Sequence, residues 1–124
     1  MTELEIAKMI ADICYEKLAN NIIVLDLQKI SVVCDYFVIA DAPTRIQLND
    51  IMRTIDDTMS EKGIQPKAIQ GRKDSSWILL DYGSVVVHLF IDRDRSFYNL
   101  EGLWKDAPVV YSRDNEDSAE EQNK

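Results

Sequence analysis

The residues that could do chemistry are few and spread along the chain. Gly83-Ser84 followed by Asp92-Arg93-Asp94 comes nearest to a reactive constellation. A Gly-Ser pair at a helix N-terminus can cradle phosphate, and two carboxylates alternating along a strand can share Mg²⁺. Neither condition is met by the surrounding sequence. Gly83-Ser84 falls between two β-prone runs, where a hairpin turn is expected instead of a helix start. Asp92 and Asp94 close the second run and are placed to cap the next helix, with the cation Arg93 between them. Asp26 and Asp35 could be read as a carboxylate pair, but a strand-end polar residue and a turn-forming Asp account for them. Cys14 and Cys34 lie far apart in apolar segments with no CxxC spacing, the pattern of buried reduced thiols. His88 stands among aliphatic residues with no nucleophile or ligand partner and is expected to be a hydrogen-bonded structural histidine. The basic pair Arg72-Lys73 sits in a polar loop and is expected to be solvated. No catalytic, metal or cofactor residue is assigned.

The elements that hold these residues follow from composition and periodicity. The chain has 124 residues, 46% of them hydrophobic, enough for one domain to bury a core without disulfides or metal. No apolar run nears the roughly 18 residues of a membrane span, and no signal peptide is recognisable, so a cytoplasmic protein with no membrane partner is expected. The formal net charge of −8 argues against a broad phosphate-binding face. Residues Arg113 to Lys124 carry five acids against two bases, which leaves the body at about −5. An acidic body suits a basic protein partner with little direct nucleic-acid contact.

Thr2 and Glu5 have the spacing of a capping box, and Leu4, Ala7, Ala11, Cys14 and Leu18, widened by Ile6, Ile10 and Ile13, make the packing face of a first helix. Asn20 and Asn21 are the expected stop. Ile22 to Leu27 reads as an interior strand and Tyr36 to Ala40 as a second, the short link favouring antiparallel pairing. Thr44 with Gln47 repeats the capping signal. Leu48, Ile51, Met52, Ile55 and Met59 line the helix that follows, and Gly63, Ile64 and Pro66 end it. Lys67 to Gln70 is a candidate edge strand, placed parallel to the second strand by a right-handed crossover. The hairpin from Trp77 and a final helix complete the order. The expected fold is a single α/β (α+β) domain over residues 1–111, with a mixed five-stranded sheet and helices mainly on one face, followed by an acidic disordered tail over 112–124.

The hairpin carries more large apolar groups than one face can hide. Alternation puts Trp77, Leu79 and Asp81 on one face and Ile78, Leu80 and Tyr82 on the other. Val85, Val87, Leu89 and Ile91 form the aliphatic row expected in the core, whereas His88 and Phe90 join the Trp77 row in a mixed face suited to an interface.

Four motifs in order make the chain specific: Asp35-Tyr36-Phe37-Val38-Ile39-Ala40, Trp77-Ile78-Leu79-Leu80-Asp81-Tyr82-Gly83, Val87-His88-Leu89-Phe90, and Arg95-Ser96-Phe97-Tyr98-Asn99-Leu100-Glu101-Gly102-Leu103-Trp104. Over nearly the whole chain up to Ala107 it resembles the ribosomal silencing factor, or Iojap-related, family. The resemblance implies a nucleotidyltransferase-like fold. It also implies binding to protein number fourteen of the large ribosomal subunit, which keeps the small subunit from joining and damps translation when nutrients are scarce. Gln70 stands where the family usually has Glu before the loop glycine, and Thr44 where it often has Ser. Trp77, Leu79, Phe90 and Tyr98 are then the expected energetic anchors, with Arg95, Asp81 and Glu101 orienting the partner. His88 and Leu100 complete the expected contact set, and Trp104 belongs either to it or to the core. Two alternatives stand beside this reading: a nucleotidyltransferase-like enzyme, suggested by the implied fold, and a homodimerisation module with no ribosome binding.

Overall fold

Thr2 starts the first helix as its spacing to Glu5 requires. In the computed structural model, which describes residues 1–71, 76–98, 102 and 105–115, the Thr2 hydroxyl accepts the Glu5 amide at 3.1 Å. The Glu5 carboxylate accepts the Thr2 amide at 3.0 Å, and that bond holds its carboxyl below the usual range. Helix α1 (Glu3–Glu16) buries Ala7, Ile10, Ala11, Ile13 and Cys14. It ends earlier than the asparagines suggested. Leu18 takes the left-handed conformation at φ +67°, while the amides of Leu18 and Ala19 return to the carbonyls of Tyr15 and Cys14. This paired closure leaves Ala19 fully buried. Leu18, expected on the packing face, is therefore 63% exposed.

The asparagines belong to strand β1 (Asn20–Asp26), where Asn21 at φ +51° lies at a register shift between Asn20 and Ile23. Tolerance of positive φ is used there, in a bulge, and not at the helix end. Strand β2 (Tyr36–Ala42) pairs antiparallel with β1, as the short link required. Helix α2 (Arg45–Glu61) is capped by Thr44, whose hydroxyl accepts the Gln47 amide, and buries Leu48, Ile51, Met52, Ile55 and Met59, the predicted stripe. Gly63 at φ +78° and the return of the Gly63 and Ile64 amides to the carbonyls of Ser60 and Met59 end it.

Strand β3 (Ala68–Gln70), hairpin strands β4 (Trp77–Asp81) and β5 (Val85–Ile91), helix α3 (Asp92–Tyr98) and strand β6 (Val109–Arg113) complete the chain. The six strands form one mixed sheet in the order β3-β4-β5-β2-β1-β6. Strand β3 runs parallel to β2 and lies at the sheet edge, both as expected; the strand hydrogen-bonded in parallel to β2 is β5. Both α1 and α2 pack on one face of the sheet, with Val24, Val38, Ala40, Ile78, Leu80, Val87 and Leu89 beneath them.

The sixth strand is the element that periodicity did not reveal. Val109-Val110-Tyr111 is a short run with mostly exposed side chains, and its anchors come from α1. The Tyr111 hydroxyl donates to Asp12, Arg113 reaches the same carboxylate at 3.3 Å, and the Arg113 guanidinium lies 3.5 Å over the Tyr15 ring. The Asn115 side-chain amide donates to the carbonyls of Ala19 at 2.7 Å and Tyr15 at 3.1 Å, at the end of α1. Strand β6 thus continues to Arg113. Among the described residues no helix is long and apolar enough to cross a membrane.

Candidate functional site

Among the described residues no helix pair packs on the second face of the sheet, and alternation places the candidate residues there. Cross-strand register aligns Trp77 with Phe90, Leu79 with His88 and Asp81 with Val86. The parallel pairing of β5 with β2 extends these rows to Asp41, Ile39 and Phe37. The hairpin register is the one that side-chain parity predicted. Its turn is set by the Asp81 carboxylate, which accepts the Gly83 amide at 2.7 Å, and by Gly83 at φ +86°. Gly83-Ser84 is therefore a hairpin turn, and Asp92 and Asp94 lie in the first turn of α3 instead of along a strand. Asp26 accepts the Gln28 amide at 2.9 Å in an Asx turn.

Depth sorts the expected contact residues. Phe90 is 1% exposed and His88 4%, so both lie beneath the surface that a partner could touch. Trp77, Leu79 and Asp81 are half-buried. The rings stack in a continuous cluster: Trp77 and Phe90 centroids lie 5.5 Å apart, Trp77 and His88 5.6 Å, and Phe37 meets His88 edge-on at 4.5 Å. The Trp77 indole Nε1 donates to His88 Nδ1 at 3.1 Å. Burial pushes the imidazole pKa down to about 4 from an ordinary 6.5, so the ring is neutral at pH 7.

Arg95, expected to orient a partner, is turned into the chain. Its Nη1 donates to Asp41 Oδ2 at 3.0 Å and to the Asn21 carbonyl at 2.5 Å, and the Asn21 side-chain amide also reaches Asp41 at 3.1 Å. Burial holds the Asp41 carboxyl above its usual range, and Asn21 and Arg95 oppose that shift. The contact ties α3 to β2 and to the bulge of β1. Leu100, Glu101 and Trp104, the side chain of Tyr98, and the Arg72-Lys73 pair lie outside the described residues.

The structure adds members that the hairpin alone did not disclose. Phe37 and Val86 are half-buried on the same face and, with Val33 and Cys34, line a groove of about 270 Å³ bordered by Asp81 and Lys67. The loop before β2 presents Val32 and Val33 to solvent, at 104% and 82% exposure. The loop is internally bonded: the amides of Ile30 and Ser31 donate to the Leu27 carbonyl, and the Ser31 hydroxyl accepts the amide of Val33. Two adjacent valines between Ser31 and Cys34 were the available signal, since apolar residues held outward by a formed turn are unusual. Cys34 and Cys14 are free thiols, and burial pushes both up, Cys14 to about 12.

The class defined by this arrangement is a small α/β domain with its helix pair on one face of a mixed sheet and a half-exposed aromatic surface on the other. A family model described as ribosomal silencing factor during starvation matches residues 1–124. The chain belongs to the ribosomal silencing factor family. It is 44% identical over 110 residues to a ribosomal silencing factor of Bacillus subtilis, covering 89% of this chain and 93% of that one. It is 35% identical over 107 residues to the chloroplastic protein Iojap of Zea mays, covering 86% of this chain and 46% of that one. A crystal structure of a Chromobacterium violaceum protein superposes with a TM-score of 0.81 at 26% identity, covering 85% and 88% of the two chains. A crystal structure from Bacillus halodurans gives 0.72 at 33% identity, covering 87% and 95%.

Proposed function

We propose that the chain binds the large ribosomal subunit through its protein number fourteen, and that the docked domain occupies volume the small subunit needs, so that translation is repressed under nutrient limitation. The observation that carries this reading is the aromatic face in a member of a silencing-factor family: Trp77, Leu79, Phe37 and Val86 stay half-exposed on a sheet whose other face packs beneath α1 and α2. Large aromatic and aliphatic groups that can still be desolvated supply binding energy most efficiently. The formal net charge of −8 favours a basic partner over a second acidic copy of the same chain. Buried Phe90 and His88 support the exposed row, and Arg95 braces α3 through Asp41. The mechanism is steric and needs no catalysis, and the protein acts in the cytoplasm.

A subunit-joining assay tests it. Purified large and small subunits form complete ribosomes in its absence, and saturating protein is expected to suppress that product while it cosediments with large subunits. Undiminished formation of complete ribosomes would sink the proposal. Cosedimentation lost only under conditions that dimerise the protein would point to a second copy on the same face.

A further inference from the structure

We propose that His88 is a positioning residue: its Nδ1 holds the half-exposed Trp77 indole in the orientation that the docking face presents to a partner. This rests on the docking reading above and adds a residue that no partner touches.

A tryptophan side chain can present either edge of its indole by rotating about χ2, and the edge carrying Nε1–H is drawn to an acceptor or to water. Here that edge faces inward, because His88 Nδ1 accepts it at 3.1 Å from the neighbouring strand. The acceptor is itself fixed. Phe37 packs edge-on against the imidazole at 4.5 Å, and the imidazole and the Phe90 ring are nearly parallel, 7° apart, with centroids at 6.4 Å. With its polar edge occupied from below, the indole lies stacked with Phe90 at an interplanar angle of 26°, and the remainder of the ring forms the surface. Without the acceptor, Nε1–H would be satisfied by turning toward solvent, and the apolar surface offered to a partner would shrink.

The histidine is costly at this site, which argues that it is there for the bond. Its Nε2 is buried with no hydrogen-bond partner among the described residues, a penalty that leucine in the same place would not carry. The neutral ring leaves Nδ1 free to accept, which a protonated imidazole could not do.

Proton-exchange NMR of the whole chain at pH 7 reads the bond directly, with the Trp77 indole resonance identified by its loss in Trp77→Phe. Slow exchange of that N–H is expected in the native chain and in His88→Gln, whose side-chain carbonyl can accept in place of Nδ1. Exchange as fast as that of a solvent-exposed indole in the native chain would overturn the proposal with no variant needed. In cosedimentation with purified large subunits, His88→Leu is expected to bind about tenfold more weakly, the factor that loss of one hydrogen bond brings. His88→Gln is expected to stay within about twofold of native, and His88→Leu to add no further loss in the Trp77→Phe background. An equal loss in both backgrounds would show a merely structural histidine and would overturn the inference. If His88→Leu does not fold, binding by His88→Gln decides: near-native affinity supports positioning, and a tenfold loss with the fold intact overturns it. A native chain with a slowly exchanging indole that nevertheless binds no large subunits would refute the docking reading, and with it the role of the orientation, while leaving the bond itself established.

Discussion

The two faces of the sheet are built from the same strands, residue by residue in alternation, yet they differ in how completely they are covered. Beneath α1 and α2, Ile78, Leu80, Val87 and Leu89 are fully buried, and every one is aliphatic. One residue away along the same strands, Trp77, Leu79, Asp81 and Val86 are half-exposed, and the groups beneath them are a phenylalanine and a neutral histidine. Aliphatic groups fill a closed core at high density and carry no hydrogen-bonding demand. Aromatic groups with a polar edge suit a surface that must be stable in water and also when covered. The first face carries the larger core; the second holds a smaller buried cluster, Leu25, Leu27, Cys34, Ile39, Phe90 and Ala107, and only its rim of Trp77, Phe37 and Val86 is available for contact.

Substitutions on the two faces should therefore divide cleanly between stability and binding. The largest effect belongs to the covered face: Leu89→Ala is expected to lower unfolding free energy by about 3 kcal/mol in urea denaturation, with the remaining folded protein still binding large subunits normally. Normal stability in that variant would erase the distinction between the faces. A comparable effect comes from pH. His88 has its folded pKa depressed to about 4, so between the ordinary 6.5 and that value the unfolded chain takes up a proton that the folded chain refuses. Stability therefore falls as pH drops through that window, by up to about 3 kcal/mol, and His88→Gln should flatten the slope between pH 6.5 and 5, where carboxylates contribute least. An unchanged slope in that variant would remove His88 from the account.

On the open face, Trp77→Ala is expected to keep the fold, by circular dichroism, and to weaken large-subunit binding by about 2 kcal/mol, roughly thirtyfold. Native affinity in a folded Trp77→Ala chain would break the assignment of this face. The smallest effect lies away from both. Leu18 is exposed and left-handed, so Leu18→Gly is expected to raise stability by about 1 kcal/mol without altering binding. A change in binding would extend the contact surface to the end of α1.

Much of this was legible in the chain. The capping signals at Thr2 and Thr44, the stripe from Leu48 to Met59 and the stop at Gly63 are local, and local rules placed them correctly. Parity within the hairpin sorted Ile78 and Leu80 from Trp77 and Leu79 because strand alternation needs no tertiary information. The misplaced features are those where distant parts of the chain compete. Leu18 overrode the asparagine signal by taking the left-handed conformation that closes α1 ahead of buried Ala19. Strand β6 escaped notice because its anchors, Asp12, Tyr15 and the end of α1, lie about a hundred residues away.

The sequence by itself determined which residues share a face, where both long helices begin, that the hairpin holds surplus apolar surface, and the family to which that surface belongs. Only the tertiary structure decided depth. His88 and Phe90 sink while Trp77 and Leu79 remain within reach, Arg95 turns inward to Asp41, and Phe37, Val86 and Val33 join a surface that the hairpin alone seemed to own. Alternation is a property of one strand, but exposure depends on which neighbours lie beside it. Here those neighbours are β2, brought alongside β5 by pairing across half the chain, and the loop that leads into it.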